Sequence, residues 1–294
     1  MLSKEILEKH YIEEKLSTAS IAKKFGIKHD RTVRKWMEKY KIPRRSLSES
    51  QTIYPKTSFD DNPKLKAYLL GLRAGDFHAR RIHKVIRVQS TTTHPAQIEM
   101  MEKVFGKFSH VGKHIFMNKA FNIKQCFIYC DLNESFSFII EKPQEIQKLI
   151  MSDETLFLNF VAGYADCESS WKILRSHRNS VRFVFQISSQ DKRILEQIRQ
   201  KFNAMGYKTN FYLDTKSGIS DKGKRTNKDI FRLMIYRTQD VTKLANILLK
   251  ISNHQEKIDK MNLILKSRNK TWIEVEPELI EFRNKIKSGL IQNN

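Results

Sequence analysis

Two stretches decide the fold: Leu65-Lys66-Ala67-Tyr68-Leu69-Leu70-Gly71-Leu72-Arg73-Ala74-Gly75-Asp76-Phe77 and Phe157-Leu158-Asn159-Phe160-Val161-Ala162-Gly163-Tyr164-Ala165-Asp166-Cys167-Glu168-Ser169. Each is an apolar helix with small residues four apart, Gly71 and Gly75 in one, Gly163 and Cys167 in the other. Small residues at that spacing flatten one helix face, so two such helices can pack backbone to backbone. Both stretches end in a carboxylate, Asp76 and Glu168, and such packing would bring the two acids together.

The chain beyond each stretch repeats itself. Strand-like residues come at Arg80–His83 and Val85–Thr91, then at Trp171–Arg175 and Arg182–Ser188. Amphipathic helices follow at 95–105 and 192–202. Strands are predicted at 110–117 and 124–131, then at 207–214 and 229–237, with closing helices at 134–141 and 239–251. Gln89 aligns with Gln186, Thr91 with Ser188 and His110 with Tyr207 at an offset of 97. The period exceeds that of solenoid repeats. It predicts an α+β domain of two αββαββα halves, at 64–152 and 153–294, the second including the C-terminal helices.

The residues before this repeat read as a small all-α domain, 1–45, and a polar linker, 46–63, with Ser and two prolines. Ser17 or Thr18 can cap a helix carrying Ile21, Ala22 and Phe25, and Gly26 can close it with a positive φ. A second helix from Asp30 stripes Val33, Trp36, Met37 and Tyr40 on one side. This pair is similar to a helix-turn-helix, with His29, Arg31, Thr32, Arg34 and Lys35 as candidate DNA-reading residues. The plainer alternative is a generic helical hairpin.

The 294 residues hold 54 Lys+Arg against 32 Asp+Glu, a formal charge of +22, of which +7 falls on residues 1–45. An acidic partner is the default for such a charge, and nucleic acid fits better than a membrane surface. Hydrophobic residues make up 40% of the chain, so wholesale disorder is excluded. No apolar run reaches the length of a membrane span. The N-terminus lacks a signal-peptide pattern, and an intracellular, cytoplasmic protein is expected. Three cysteines cannot build a disulfide framework. Cys126 and Cys130 are expected to pack as small hydrophobes, and there is no four-ligand zinc pattern.

On the two motif copies and the repeated ββαββ order, residues 64–290 resemble the single-chain, two-repeat LAGLIDADG homing endonucleases. The resemblance implies a site-specific, monomeric endonuclease, intron-encoded or free-standing, that cuts double-stranded DNA. It implies that Asp76 and Glu168 bind Mg²⁺, with Mn²⁺ able to substitute, that the carbonyls of Gly75 and Cys167 assist, and that each acid serves one strand. Lys142, His254 and Lys257 are candidates for organising water near the metals, though most Lys and His are surface groups. Strand alternation puts Ile86, Val88, Phe183, Phe185 and Ile187 toward the helices. Arg87, Gln89, Thr91, Arg182, Gln186 and Ser188 then face DNA, joined by Arg80, Lys84, Lys172 and Ser176. The loop 215–228 offers Lys224 and Arg225 to phosphates. The first copy departs from the family pattern at Arg73, which needs a partner if buried, at Ala74 and at Phe77, and the second departs at Ser169. The alternatives are a DNA-binding regulator with little or no cutting activity and an RNA maturase acting on intron RNA.

Overall fold

A computed structural model describes residues 2–14, 16–44, 54–119, 122–219 and 225–291, and the side chains of all of these but 219, 225 and 226. The chain divides into two compact units, Met1–Pro55 and Lys56–Asn294.

The smaller unit is all-α. Helix α1 (Lys4–Glu8) runs into a wider π-helical turn, Lys9–Glu13, and α2 (Thr18–Lys24) and α3 (Asp30–Lys39) follow. The Ser17 hydroxyl accepts the Ser20 amide at 3.0 Å, capping α2. Gly26 closes the helix at φ +66°, where a β-carbon would be strained. Leu7, Tyr11, Ile21, Ala22, Val33, Met37 and Ile42 form its core.

The larger unit opens with residues 56–62, which pack against it rather than serve as linker. Phe59 is buried against Phe136 and Phe138, and its amide donates to Ser135. The expected linker of 46–63 therefore ends earlier, because one aromatic anchor holds its C-terminal part down. Helix α4 (Pro63–Ala74) has proline in its first turn and Asn62 as its cap. Strands β1 (His78–Ile82) and β2 (Val85–Thr92), helix α5 (Pro95–Phe105), and strands β3 (Val111–Asn118) and β4 (Ile123–Leu132) complete the first half. Its closing segment, predicted as a helix over 134–141, is a 3₁₀ turn, Glu134–Ile139.

Helices α6 (Lys148–Ser152) and α7 (Glu154–Glu168) lead into the second half. There β5 (Ser169–Arg175), β6 (Val181–Ser189), α8 (Lys192–Ala204) and β7 (Thr209–Thr215) come first. A small hairpin of β8 (Gly218–Ile219) and β9 (Arg225–Thr226) precedes β10 (Ile230–Ile235). Helices α9 (Thr238–Leu248), α10 (Gln255–Lys266) and α11 (Trp272–Gly289) end the chain. Among the described residues, no helix is long and apolar enough to cross a membrane.

The two halves carry the same antiparallel sheet, ordered β1-β2-β4-β3 and β5-β6-β10-β7. Their registers correspond. Gln89 pairs with His78 and Gln186 with Ser170, in each case two residues beyond the acid. Gln186 follows its acid by 18 residues and Gln89 by 13. The five extra residues belong to the longer β5–β6 hairpin. The repeat read from the sequence is thus a structural one.

Helices α4 and α7 are buried almost all round, as helices apolar on every face must be. They meet at their glycines. A β-carbon on Gly71 would lie 2.1 Å from the Phe160 carbonyl oxygen, and one on Gly163 would lie 2.1 Å from that of Tyr68. One on Gly75 would lie 2.5 Å from Cys167 Cβ. The reciprocal contacts place the C-terminal ends of the two helices side by side.

Candidate active site and nucleic-acid interface

Asp76 and Glu168 line one cleft of about 460 Å³, together with Gly75, Lys142, Gln144, Ser188, Ser189, Gln190, Asp191, Lys228 and Ile230. Both acids therefore reach the same space, as the helix pairing requires. A helix C-terminus carries partial negative charge and unpaired carbonyls, so it disfavours a carboxylate and favours a cation. Here two such ends each deliver a carboxylate. The crowding of surrounding atoms raises the Asp76 carboxyl above its ordinary range, against the pull of Lys257 and Lys142. Burial, and then the charge of Asp76, push Glu168 up to about 7. Two buried carboxyls, one of them opposed by the charge of the other, form a place where positive charge is wanted.

The oxygen-rich donor set suits a hard divalent cation. Among the described residues, no group of three or more His, Cys, Asp or Glu forms a metal site. A cation held here would share two carboxylates and helix-end carbonyls with water and substrate oxygens, which is how Mg²⁺ is commonly bound.

The candidate basic residues separate. Lys142 lines the cleft, and its Nζ lies 2.9 Å from Asp191 Oδ2. Lys257 is half-buried and donates to the Ser169 carbonyl. It is not the ordinary surface lysine expected, because α10 presses it in behind the motif helices; its own charge is disfavoured there by desolvation. His254 is buried, and burial lowers it to about 4, so it is neutral at pH 7. It does not line the cleft and cannot serve there as a cation.

Asp166 supports the helix pair. It is buried and accepts hydrogen bonds from the Tyr68 hydroxyl at 2.7 Å and the Asn253 amide at 2.8 Å, joining α7 to α4 and to the chain before α10. Arg73, the odd basic residue in the first motif, finds the partners its burial demands. Its guanidinium donates to the carbonyls of Ile139 (2.9 Å), Ile140 (2.9 Å) and Phe77 (3.1 Å).

On the sheets, Ile86, Val88, Phe183, Phe185 and Ile187 are buried as the alternation predicts. Arg80, Lys84, Thr91 and Arg182 are exposed, and Gln89, Lys172, Ser176 and Ser188 are half-buried. Two candidates differ from expectation. Gln186 is 8% exposed, because central strand β6 is covered on both faces and Val184 beside it is buried too. Arg87 faces the open side but is clamped to Asp131 by two 2.7 Å bonds and lies over the Tyr129 ring. Arg232, which the sequence reading missed, bridges Ser188 and Asp214 on the second sheet. Lys224 lies outside the described residues, and of Arg225 only its strand pairing is described. In the smaller unit, His29 is exposed just before α3, and Arg31, Arg34 and Lys35 are exposed on it. Thr32 is half-buried, and Arg34 is paired with Asp30.

Asp191 was also missed; it stands just before α8 and pairs with Lys142 in the cleft, a partner 49 residues away that no local motif signals.

No protein-family model matches the chain, and no curated protein does. Among solved structures, the chain is similar to the homing endonuclease I-WcaI bound to its DNA recognition sequence (14% identity, 69% of this chain and 88% of that one, TM-score 0.49). It is also similar to a point mutant of I-SmaMI (11%, 77% and 97%, TM-score 0.44) and to mesophilic variants of the homing endonuclease I-DmoI (16%, 64% and 91%, TM-score 0.41). At these identities the likeness concerns fold alone, and the functional reading rests on this chain's own residues. In fold, the chain is similar to homing endonucleases.

Proposed function

We propose that this protein is a divalent-metal-dependent endonuclease that hydrolyses both strands of double-stranded DNA at a specific site. The observation that carries the reading is the convergence of Asp76 and Glu168, one from each half of a two-fold repeat, at adjacent helix C-termini in one cleft. Burial disfavours the charged form of each acid there, so their placement costs stability rather than supplying it.

Asp76 and Glu168 would hold Mg²⁺, or Mn²⁺ in its place, with the carbonyls of Gly75 and Cys167 able to assist. When bound, such a cation polarises the phosphate and lowers the pKa of an attacking water. Lys142 faces the same cleft, where its ammonium can hold a water and offset charge developing on the phosphate. Lys257 supports Asp76 from behind. The exposed Arg80, Lys84, Thr91 and Arg182 contact the duplex, with the half-buried Lys172, Gln89 and Ser188. The smaller unit adds α3, whose Arg31, Arg34 and Lys35 meet phosphates and base edges.

The test selects a target duplex from a randomised plasmid library and incubates it with protein in Mg²⁺ or in EDTA. Cutting in Mg²⁺ alone supports the reading. Tight DNA binding without cutting on any selected target replaces it with a regulator, and preferential binding of structured RNA replaces it with a maturase.

A further inference from the structure

Three ion pairs cross from one half of the repeat to the other, Arg193–Glu145 among them, and the other two are matched by position. Lys142 of the first half reaches Asp191 of the second at 2.9 Å, and Glu256 of the second reaches His94 of the first at 3.0 Å. His94 and Asp191 are equivalent by position. Each stands immediately before an amphipathic helix, α5 or α8. Each is set by the same turn, the His94 amide donating to Thr92 Oγ1 at 2.9 Å and the Asp191 amide to Ser189 Oγ at 3.2 Å. Their partners are equivalent too, since both lie in the segment after a half's closing element.

The polarity of the two pairs is reversed, and the reason is local. In the second half Lys257 is already tied to the Ser169 carbonyl. The cross-half contact therefore falls on its neighbour, Glu256. In the first half Lys142 lies between the 3₁₀ turn and α6, outside any regular element. A lysine side chain carries large rotamer entropy, so an untethered Lys142 would rarely sit in the cleft. Stability does not explain these pairs. The partners are partly exposed, and such pairs contribute about 0–1 kcal/mol. Asp191 moreover adds a third carboxylate to a cleft that already holds two, an unfavourable arrangement unless it locates a cation.

We propose that Asp191 and His94 are positioning residues acting across the pseudo-twofold: Asp191 fixes the Lys142 ammonium, on a segment that Glu145–Arg193 and Ile146–Gln197 already hold, and His94 fixes the start of the helix that carries Lys257. The inference rests on the endonuclease reading and assigns a role to two residues outside the motif helices. Its signature is strand selectivity, because Lys257 acts on Asp76 more than Lys142 does, and Lys142, which lines the cleft, acts on Glu168 more than Lys257 does.

The test uses full-length protein, the selected duplex labelled differently on each strand, and single-turnover cutting in Mg²⁺. K142M and K257M first identify which strand each lysine serves. D191N is isosteric and removes no side-chain cap bond from α8. It should slow the K142M strand about tenfold to a hundredfold, the usual effect of losing a residue that orients a catalytic group, and leave the other strand within about twofold. H94Q should slow the K257M strand. D191E should restore most of the rate, and K142M/D191N should be no slower than K142M. Rates unchanged in D191N, or both strands slowed alike at an unaltered melting temperature, would overturn the proposal while leaving the endonuclease reading intact. Wild-type protein that cuts neither strand refutes that reading itself.

Discussion

Replacing Gly71 by alanine tests the helix pairing that builds the site. The added β-carbon would stand 2.1 Å from the Phe160 carbonyl oxygen and 2.8 Å from the Tyr164 amide nitrogen. Ordinary carbon–oxygen contacts are about 3.3–3.6 Å, so the helices must part by about 1 Å at this point. Overpacking of this kind costs about 1–3 kcal/mol, and more where both partners are backbone and neither can swing aside. Alanine's better helix propensity returns about 1 kcal/mol. The net loss should be about 2 kcal/mol, a melting temperature lower by about 4–8 °C for a unit of this size. Function should suffer more than stability, since a 1 Å misplacement in a catalytic constellation can cost about a hundredfold. Calorimetry and strand-cleavage rates read the two effects, with DNA affinity measured alongside because the sheet faces are untouched. G163A meets the mirrored contact, 2.1 Å from the Tyr68 carbonyl, and should behave alike; G289A, with open space around it, is the neutral control. A G71A protein with wild-type melting and cutting would refute backbone-to-backbone packing.

The same geometry sets other outcomes. Glu168 sits near pKa 7 against an ordinary 4.5, so the folded state holds its proton more tightly and loses stability as pH rises from about 4.5 through 7. In EDTA, E168Q should therefore melt above wild type at pH 8 with the gap closing by pH 5, and a pH-independent gap would contradict this. R73M strips the donors from three carbonyls and should cost about 3 kcal/mol in urea titration; an unchanged midpoint would show the arginine to be dispensable. R31A/K35A should weaken DNA binding and reduce the slope of log affinity against log salt by about 2, whereas an unaltered slope would remove α3 from the interface.

Much of this was legible in the sequence because it lies in side-chain type and spacing. Glycines at four-residue intervals announced the helix contact, and the equal ββαββ order announced the second sheet. Even the Gln89–Gln186 correspondence survives an insertion of five residues in one hairpin. The features that escaped depend on partners distant in sequence. Arg87 reads as a free DNA contact until Asp131 comes beside it across the sheet. Lys257 reads as a surface group until α10 folds over the motif helices, and Gln186 as an open one until both faces of β6 are covered. The segment 134–141 has helical spacing but resolves as a 3₁₀ turn, and the carbonyls of its last residue, Ile139, and of Ile140 after it then receive Arg73. Phe59 sits in a polar stretch that reads as linker, and only the Phe136–Phe138 surface shows why it is held.

The most direct test of the central claim is strand-resolved cleavage of the selected target by D76N and E168Q, with affinity measured on the same duplex in Ca²⁺. Each variant should lose cutting of at least one strand while binding within a few-fold of wild type, and the double variant should cut neither. Double-strand cutting retained in either single variant would contradict the assignment of Asp76 and Glu168.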